Sequence, residues 1–161
     1  MIMSEDLIGA FARNLGTLKA QTQGLSHPDS LLQPPFRGNC LNWVLGHIVA
    51  NRSRILVLLG AQPILSEAQA ARYGHGSQPV CADGADVLPL DRLLEALEHA
   101  QEGIAAGLRR ATPAELARQT QSHLGATTVA QLLFFLYYHE TYHTGQTELL
   151  RQLAGTNDHI I

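Results

Sequence analysis

The sequence predicts an all-α protein, a four-helix bundle with a long irregular connection between its second and third helices. Three observations predict this fold: four stretches repeat apolar residues at helical spacing, glycine and proline separate them, and no stretch shows convincing strand alternation. The chain of 161 residues has the size of one domain and can bury a sizeable core. We therefore expect residues 1–161 to form a single domain.

Capping and breaking residues bound the first two helices. Ser4 and the two acidic residues after it suit the positive end of a helix, and apolar periodicity then predicts a first helix over residues 5–22. Glycines and prolines interrupt the chain after this helix. Asn39 is a reasonable cap for a second helix over about residues 40–59, which Gly60 ends together with the proline that follows.

The second half of the chain begins with a segment of little periodicity, residues 61–89, which predicts a long irregular connection. Pro89 or Asp91 can start the third helix, which ends near residues 109–110. A helical turn over residues 113–117 is expected to follow.

The last long helix has the clearest start signal. Thr127 or Thr128 can cap it, and Gln131 is placed to complete a capping box with Thr128. Apolar periodicity continues from Val129 to residue 153, and Gly155 closes the helix.

Composition excludes several classes of protein. The chain has 11 basic and 14 acidic residues, a net charge of −3, and no basic block, which argues against nucleic acid as a partner. Cys40 and Cys81 lack the spacing of a metal ribbon or redox pair and are interpreted as reduced thiols. The N-terminus is acidic rather than signal-like, and no apolar run reaches the ~20 residues of a membrane span. These features predict a cytoplasmic protein without a membrane partner.

Two histidines at helical spacing give the strongest functional signal. His139 and His143 are four residues apart, so they project from one helical face and can bind one metal ion. His47, on the second amphipathic helix, can supply a third imidazole. Three neutral imidazoles favour zinc, nickel or ferrous iron, with zinc the first choice, and one open coordination position is typical of a catalytic site. We expect one divalent transition metal per chain.

Several neighbouring residues are candidates for supporting roles. Gln146, one turn after His143, could orient a nucleophile or a substrate oxygen, or simply support a metal ligand. Glu140, about 100° from His139 on the helical wheel, could act as a base near the ion, pair with Arg151 or another cation, or face solvent. We favour the solvent-facing position.

Three further residues could border the site. Asn51 and Arg54 follow His47 on roughly the same helical face, so they could contact an anionic or carbonyl-bearing ligand, or only solvent. His75, between two glycines, could belong to a lid or simply be exposed.

Two other classes of metal site fit the sequence less well. Residues 139–143 match the H-E-x-x-H string of zinc proteases, but the chain has no strand-rich half to bind an extended peptide and no third histidine in the metzincin position. Glu140 and His143 form one Glu-x-x-His unit of a di-iron bundle, but the second unit is missing, since Glu95 and His99 are four residues apart.

Two motifs together resemble the DinB-like superfamily over nearly the whole chain. They are Asn42-Trp43-Val44-Leu45-Gly46-His47 and His139-x-x-x-His143-x-Gly145-Gln146. The resemblance, which extends to YfiT-type proteins, implies a four-helix bundle whose metal ligands are His47, His139 and His143. It also implies that members commonly dimerise through bundle helices. It does not imply one reaction or DNA binding, because some members are thiol-dependent S-transferases, others metal-dependent hydrolases, and others have no established activity.

Two apolar stretches bear on assembly and complete the functional hypothesis. Residues 55–59 and 132–136 are apolar on every side, which favours a homodimer, with dense packing inside one chain as the alternative.

We expect a metal-dependent enzyme that activates a low-molecular-weight thiol or water against a small-molecule substrate, as an S-transferase or a hydrolase. The alternative is a non-catalytic metal-dependent ligand-binding or stress-response protein.

Overall fold

Four long helices form the frame of the protein. The computed structural model describes residues 4–122 and 125–156, so the two ends of the expected domain, residues 1–3 and 157–161, lie outside the described residues. In chain order the elements are α1 (Ser4–Thr22), α2 (His27–Ser30), α3 (Leu41–Leu58), α4 (Glu67–Arg72), α5 (Leu90–Arg110), α6 (Pro113–Ala117), β1 (Gln119–Ser122), β2 (Gly125–Thr128) and α7 (Val129–Gln152). Helices α1 and α3 each pack against both α5 and α7, so α1 lies diagonally opposite α3. The predicted four-helix bundle is confirmed.

The helix starts show which capping predictions are right. The hydroxyl of Thr128 accepts a hydrogen bond from the backbone N–H of Gln131 at 3.2 Å, and the Gln131 side chain accepts one from the backbone N–H of Thr128 at 3.0 Å. This capping box confirms the predicted start of α7. Asn39 is not the cap of α3, because Cys40 occupies the N-cap position and makes no side-chain capping hydrogen bond there.

A small hairpin that the sequence pattern did not indicate precedes α7. Strand β1 pairs antiparallel with β2, with Gln119 opposite Thr128 and Ser122 opposite Gly125. Each strand has only four residues, and their polar and small side chains lack the apolar alternation by which strands are recognised.

The connection between α3 and α5 is more ordered than its sequence predicts, since it contains α4. Ser66 caps this helix: its hydroxyl accepts from the backbone N–H of Gln69 at 3.3 Å, and the Gln69 side chain accepts from the backbone N–H of Ser66 at 3.0 Å. The predicted long connection is therefore present, and it contains one short helix that its sequence pattern did not indicate. Helix α4 leads into Tyr73, whose side chain is fully buried.

A layer of buried polar side chains divides the apolar core into two clusters. The cluster at one end includes Leu18, Leu45, Leu97 and Leu150. The cluster at the other end includes Phe11, Ile55, Ile104 and Leu133. Asn14 of α1, Arg52 of α3 and Glu140 of α7 are buried between the two clusters. Buried polar side chains are stable only when they are hydrogen-bonded, and these three form hydrogen bonds with one another.

The two fully apolar stretches are mostly covered by the chain itself. Within residues 55–59 and 132–136, the structure buries five side chains, Ile55, Leu56, Leu132, Leu133 and Leu136. Val57 and Phe134 are the large exposed hydrophobic side chains of these stretches, at 55% and 48%. Dense packing within one chain thus accounts for most of the pattern.

None of the described helices combines the length and apolar character needed to cross a bilayer.

Candidate metal centre

Helices α3 and α7 bring three histidine rings together. On α7, Nε2 of His143 lies 3.2 Å from Nε2 of His139, as the four-residue spacing predicts. Helix α3 places Nε2 of His47 within 3.5 Å of Nε2 of His139. The potential ligand atoms of the three residues all lie within 4.8 Å of one another, so one ion could contact all three.

The ring of His47 is held in place by its own helix and by the chain after α4. The indole of Trp43 stacks on it with ring centroids 4.8 Å apart and planes 9° from parallel. Its Nδ1 donates a hydrogen bond to the carbonyl oxygen of Tyr73 at 2.7 Å. Gly46 makes this approach possible, because any Cβ at that position would collide with the Tyr73 ring. The Gly46-His47 pair therefore serves both packing and ligand orientation.

His143 has an equivalent support on its own helix. Its Nδ1 donates to Oε1 of Gln146 at 2.7 Å, one turn further along α7. A partner on the second ring nitrogen fixes both the orientation and the tautomer of a histidine ligand. Of the two roles considered for Gln146, the structure displays the supporting contact to His143.

The hydrogen bonds at Nδ1 of His47 and of His143 determine which ring nitrogens can bind a cation. Because a carbonyl or amide oxygen can only accept, Nδ1 of His47 and of His143 carries the proton, and Nε2 of each neutral ring presents a lone pair to the centre. Burial lowers the pKa of His47 and of His143, which favours the neutral form of both rings. Neutral imidazoles with converging lone pairs suit a transition metal ion, so the residues fit the predicted group.

Glu140 lies away from this centre, and the expectation that it faces solvent is wrong. Its side chain is 1% exposed, and its two oxygens accept hydrogen bonds from Nε and Nη2 of Arg52, both at 2.8 Å. Asn14 donates to the same carboxylate at 3.2 Å. The cation anticipated as a possible partner is thus Arg52 rather than Arg151. Because its carboxylate is bound to Arg52 in this buried ion pair, Glu140 is not available as a base at the candidate metal centre.

Two cavities reach the three histidines. The larger, of about 660 Å³, is lined by Asn51, Arg54, His75 and Phe135 together with His47 and His139. The smaller, of about 370 Å³, includes Trp43, Tyr142, His143 and Gln146 in its lining. Of the three residues that could border the site, all line this larger cavity, and the side chains of Arg54 and His75 are also exposed to solvent. Cavities of this size beside the histidines can hold small molecules.

Comparison with known proteins identifies the family. A family model described as the DinB superfamily matches residues 10–147. The chain belongs to the DinB superfamily. A crystal structure described as the conserved protein of locus from Enterococcus faecalis has a similar fold, with a TM-score of 0.73, 13% sequence identity, and coverage of 97% of this chain and 99% of that one. No curated protein matches the chain significantly.

In this DinB-superfamily chain, sequence reasoning missed two residues that support the centre. Tyr73 supplies the carbonyl that orients His47, and its own hydroxyl accepts from the backbone N–H of Leu88 at 2.7 Å and donates to Asn42 at 3.1 Å. Arg52 pairs with Glu140 and so connects the two helices that carry the histidines. Gly46 was the available signal for Tyr73, because a glycine inside an apolar helix often marks a close approach.

Proposed function

We propose that this protein is a metal-dependent enzyme that activates a low-molecular-weight thiol or water, first as a thiol S-transferase and second as a hydrolase. One divalent transition metal would be held by His47, His139 and His143, with zinc the first choice and nickel or iron the alternatives. The observation that carries the proposal is the convergence of three Nε2 atoms while Nδ1 of two rings is occupied by Tyr73 and Gln146.

The chemistry follows from the charge of the site. A divalent ion on three neutral ligands keeps its full charge and lowers the pKa of a bound water or thiol, so that hydroxide or thiolate is available near neutral pH. Tyr73 and Gln146 keep the rings of His47 and His143 in position. Asn51 borders the centre: its Nδ2 donates to the backbone carbonyl of His47 at 2.9 Å and lies 3.2 Å from Nε2 of the same residue. The adjoining cavities leave room for a small-molecule substrate.

We also propose that the chain forms a homodimer through α7. Four large side chains on this helix, Phe134, Tyr138, Tyr142 and Leu149, are between 48% and 63% exposed. Their spacing of four, four and seven residues places them on one face, and an apolar face of this kind is stabilised when a second subunit covers it.

A cytoplasmic location and the absence of a nucleic-acid partner stay predictions from the sequence.

The first test is elemental analysis of the purified protein. We expect close to one zinc, nickel or iron ion per chain, and loss of that ion in His139→Ala, because two imidazoles alone bind far more weakly. The control is His99→Ala, which removes an exposed histidine of α5. A purified protein that has no metal and cannot be loaded with zinc, nickel or iron would refute the proposal.

The second test separates the two reactions. Metal-loaded protein is offered monochlorobimane with glutathione, bacillithiol, mycothiol or no thiol, and in parallel ester and amide substrates. Thiol-dependent turnover that is lost in His143→Ala supports the transferase, whereas hydrolysis without a thiol supports the hydrolase. If metal-loaded protein catalyses neither reaction, the enzyme proposal is rejected in favour of a non-catalytic ligand-binding protein.

A further inference from the structure

The larger cavity beside the three histidines is positively charged. Its one permanently charged side chain is Arg54, and no carboxylate contributes to its lining among the described residues. The bound metal of the proposed function would add further positive charge at the same cavity. A cavity with two sources of positive charge and no acidic group attracts an anion.

Arg54 is both placed and available for such a contact. It follows His47 by seven residues on α3, which corresponds to about 10 Å along the helix axis and nearly the same face. Its side chain is exposed, and within residues 4–122 and 125–156 it forms no ion pair. Arg52, two positions earlier, differs in being buried and bound to Glu140. Arg54 therefore keeps its guanidinium free to bind a carboxylate or phosphate.

The two walls of the cavity differ in chemistry. On the α3 wall, Asn51 lies between His47 and Arg54, so a polar amide separates the histidine from the cation. On the α7 wall, Phe135 and Leu136 offer apolar surface. A molecule that contacts the metal at one end and carries an anionic group at the other could lie along the α3 wall, from His47 past Asn51 to Arg54.

We propose that the Arg54 cavity binds the anionic group of the thiol whose sulfur meets the metal, which makes Arg54 a specificity-determining residue. The inference rests on the proposed thiol-dependent function and names its substrate class: a low-molecular-weight thiol with a carboxylate or phosphate. Arg37, in the smaller cavity, is less suited to this role because it lies in the segment before α3 and not on the helix that carries His47.

Thiol binding to cobalt-loaded protein tests this inference without relying on turnover. Cobalt(II) replaces the native metal, and the thiolate-to-cobalt absorption band is titrated with glutathione and with its glycine monoethyl ester, which is similar in size but has one negative charge fewer. We expect glutathione to bind about fivefold more tightly, as one partly exposed ion pair permits. Arg54→Gln should abolish this preference, whereas the matched variant Arg37→Gln should retain it.

Phosphopantetheine and pantetheine form a second pair of probes that differ by a phosphate. A preference for phosphopantetheine that exceeds the preference for glutathione over its ester, and that is lost in Arg54→Gln, would identify phosphate rather than carboxylate as the favoured group.

The outcomes distinguish the inference from the function on which it rests. If thiols produce the absorption band but bind equally with and without the anionic group, or if Arg54→Gln leaves the preference unchanged, the inference is wrong and the proposed function stands. If cobalt binds but no thiol produces the band, the thiol-dependent function fails and the inference fails with it.

Discussion

Removal of the Glu140 carboxylate should destabilise the protein strongly. Glu140 and Arg52 are 1% and 0% exposed, and Arg52 donates two hydrogen bonds of 2.8 Å to the carboxylate. Arg52 also donates to the backbone carbonyls of Phe11 at 3.0 Å and Leu97 at 3.1 Å. One guanidinium thereby connects α3 with α1, α5 and α7. In Glu140→Ala this buried cation would lose its only anionic partner among the described residues.

The size of the effect follows from the burial of the pair. Breaking a buried ion pair from one side costs about 3–5 kcal/mol, because the remaining charge stays in a low-dielectric interior. An exposed pair contributes only about 0–1 kcal/mol. Arg92 and Glu95, 67% and 53% exposed with a 2.8 Å contact, provide the matched control through Glu95→Ala. The double variant Arg52→Met/Glu140→Leu should lose less than Glu140→Ala, because it leaves no charge in the interior.

The assay is urea unfolding monitored by circular dichroism, with a chelator present because Glu140 neighbours His139, a proposed metal ligand. The free energy of unfolding of Glu140→Ala is compared with those of Glu95→Ala and the double variant. The reasoning is refuted if Glu140→Ala and Glu95→Ala lose similar amounts of stability. It is also refuted if the double variant is less stable than Glu140→Ala.

Three further predictions concern the support of the metal centre. Gly46→Ala should lower the free energy of unfolding in urea by about 1–3 kcal/mol or more, because its Cβ would overlap a buried tyrosine ring. The control Gly145→Ala, where the new Cβ meets open space, should raise it by up to about 1 kcal/mol. Equal effects of the two substitutions would contradict the packing described at Gly46. Gln146→Leu should weaken metal affinity about 10- to 100-fold in a chelator competition titration, because it removes the acceptor for Nδ1 of His143. Gln146→Glu should restore the affinity by supplying an acceptor again. Unchanged affinity in Gln146→Leu would rule out the supporting role. Finally, burial lowers the pKa of His47 and of His143 below the usual histidine value of about 6.5, so the unfolded chain takes up protons first as the pH falls. The urea stability of metal-free protein should therefore be full above pH 6.5 and decrease as the pH falls toward the folded-state values, and the double variant His47→Gln/His143→Gln should show a flatter profile; an unchanged profile would contradict this origin.

The helices and the histidine pair were predictable because they depend on local sequence. Apolar spacing defines a helix from its own residues, and the capping box of Thr128 and Gln131 needs only four positions. The spacing of His139 and His143 likewise determines that they share a face. His47 required either the family resemblance or the packing of α3 against α7, since it lies 92 residues away from His139 in the chain.

The features that sequence reasoning missed depend on contacts between distant segments. Helical geometry places Glu140 about 100° from His139, but whether that direction leads to solvent or to the interior depends on which helices lie there. The structure places α3 on that side, with Arg52 in contact. The strands β1 and β2 lack the apolar alternation by which a strand is predicted. They are held together by backbone hydrogen bonds, which any sequence can form. Tyr73 became a support of His47 only because α4 brings it over Gly46.

The distribution of the histidines also has a consequence for biosynthesis. Two of the three rings belong to α7, the last helix in the described chain, and the third belongs to α3. A growing polypeptide that has already made α1, α3 and α5 therefore presents a single imidazole, which cannot hold an ion firmly. If the three histidines bind a metal as proposed, the ion can be held only after translation has passed α7 and that helix has docked, so a chain truncated before α7 would lack this centre.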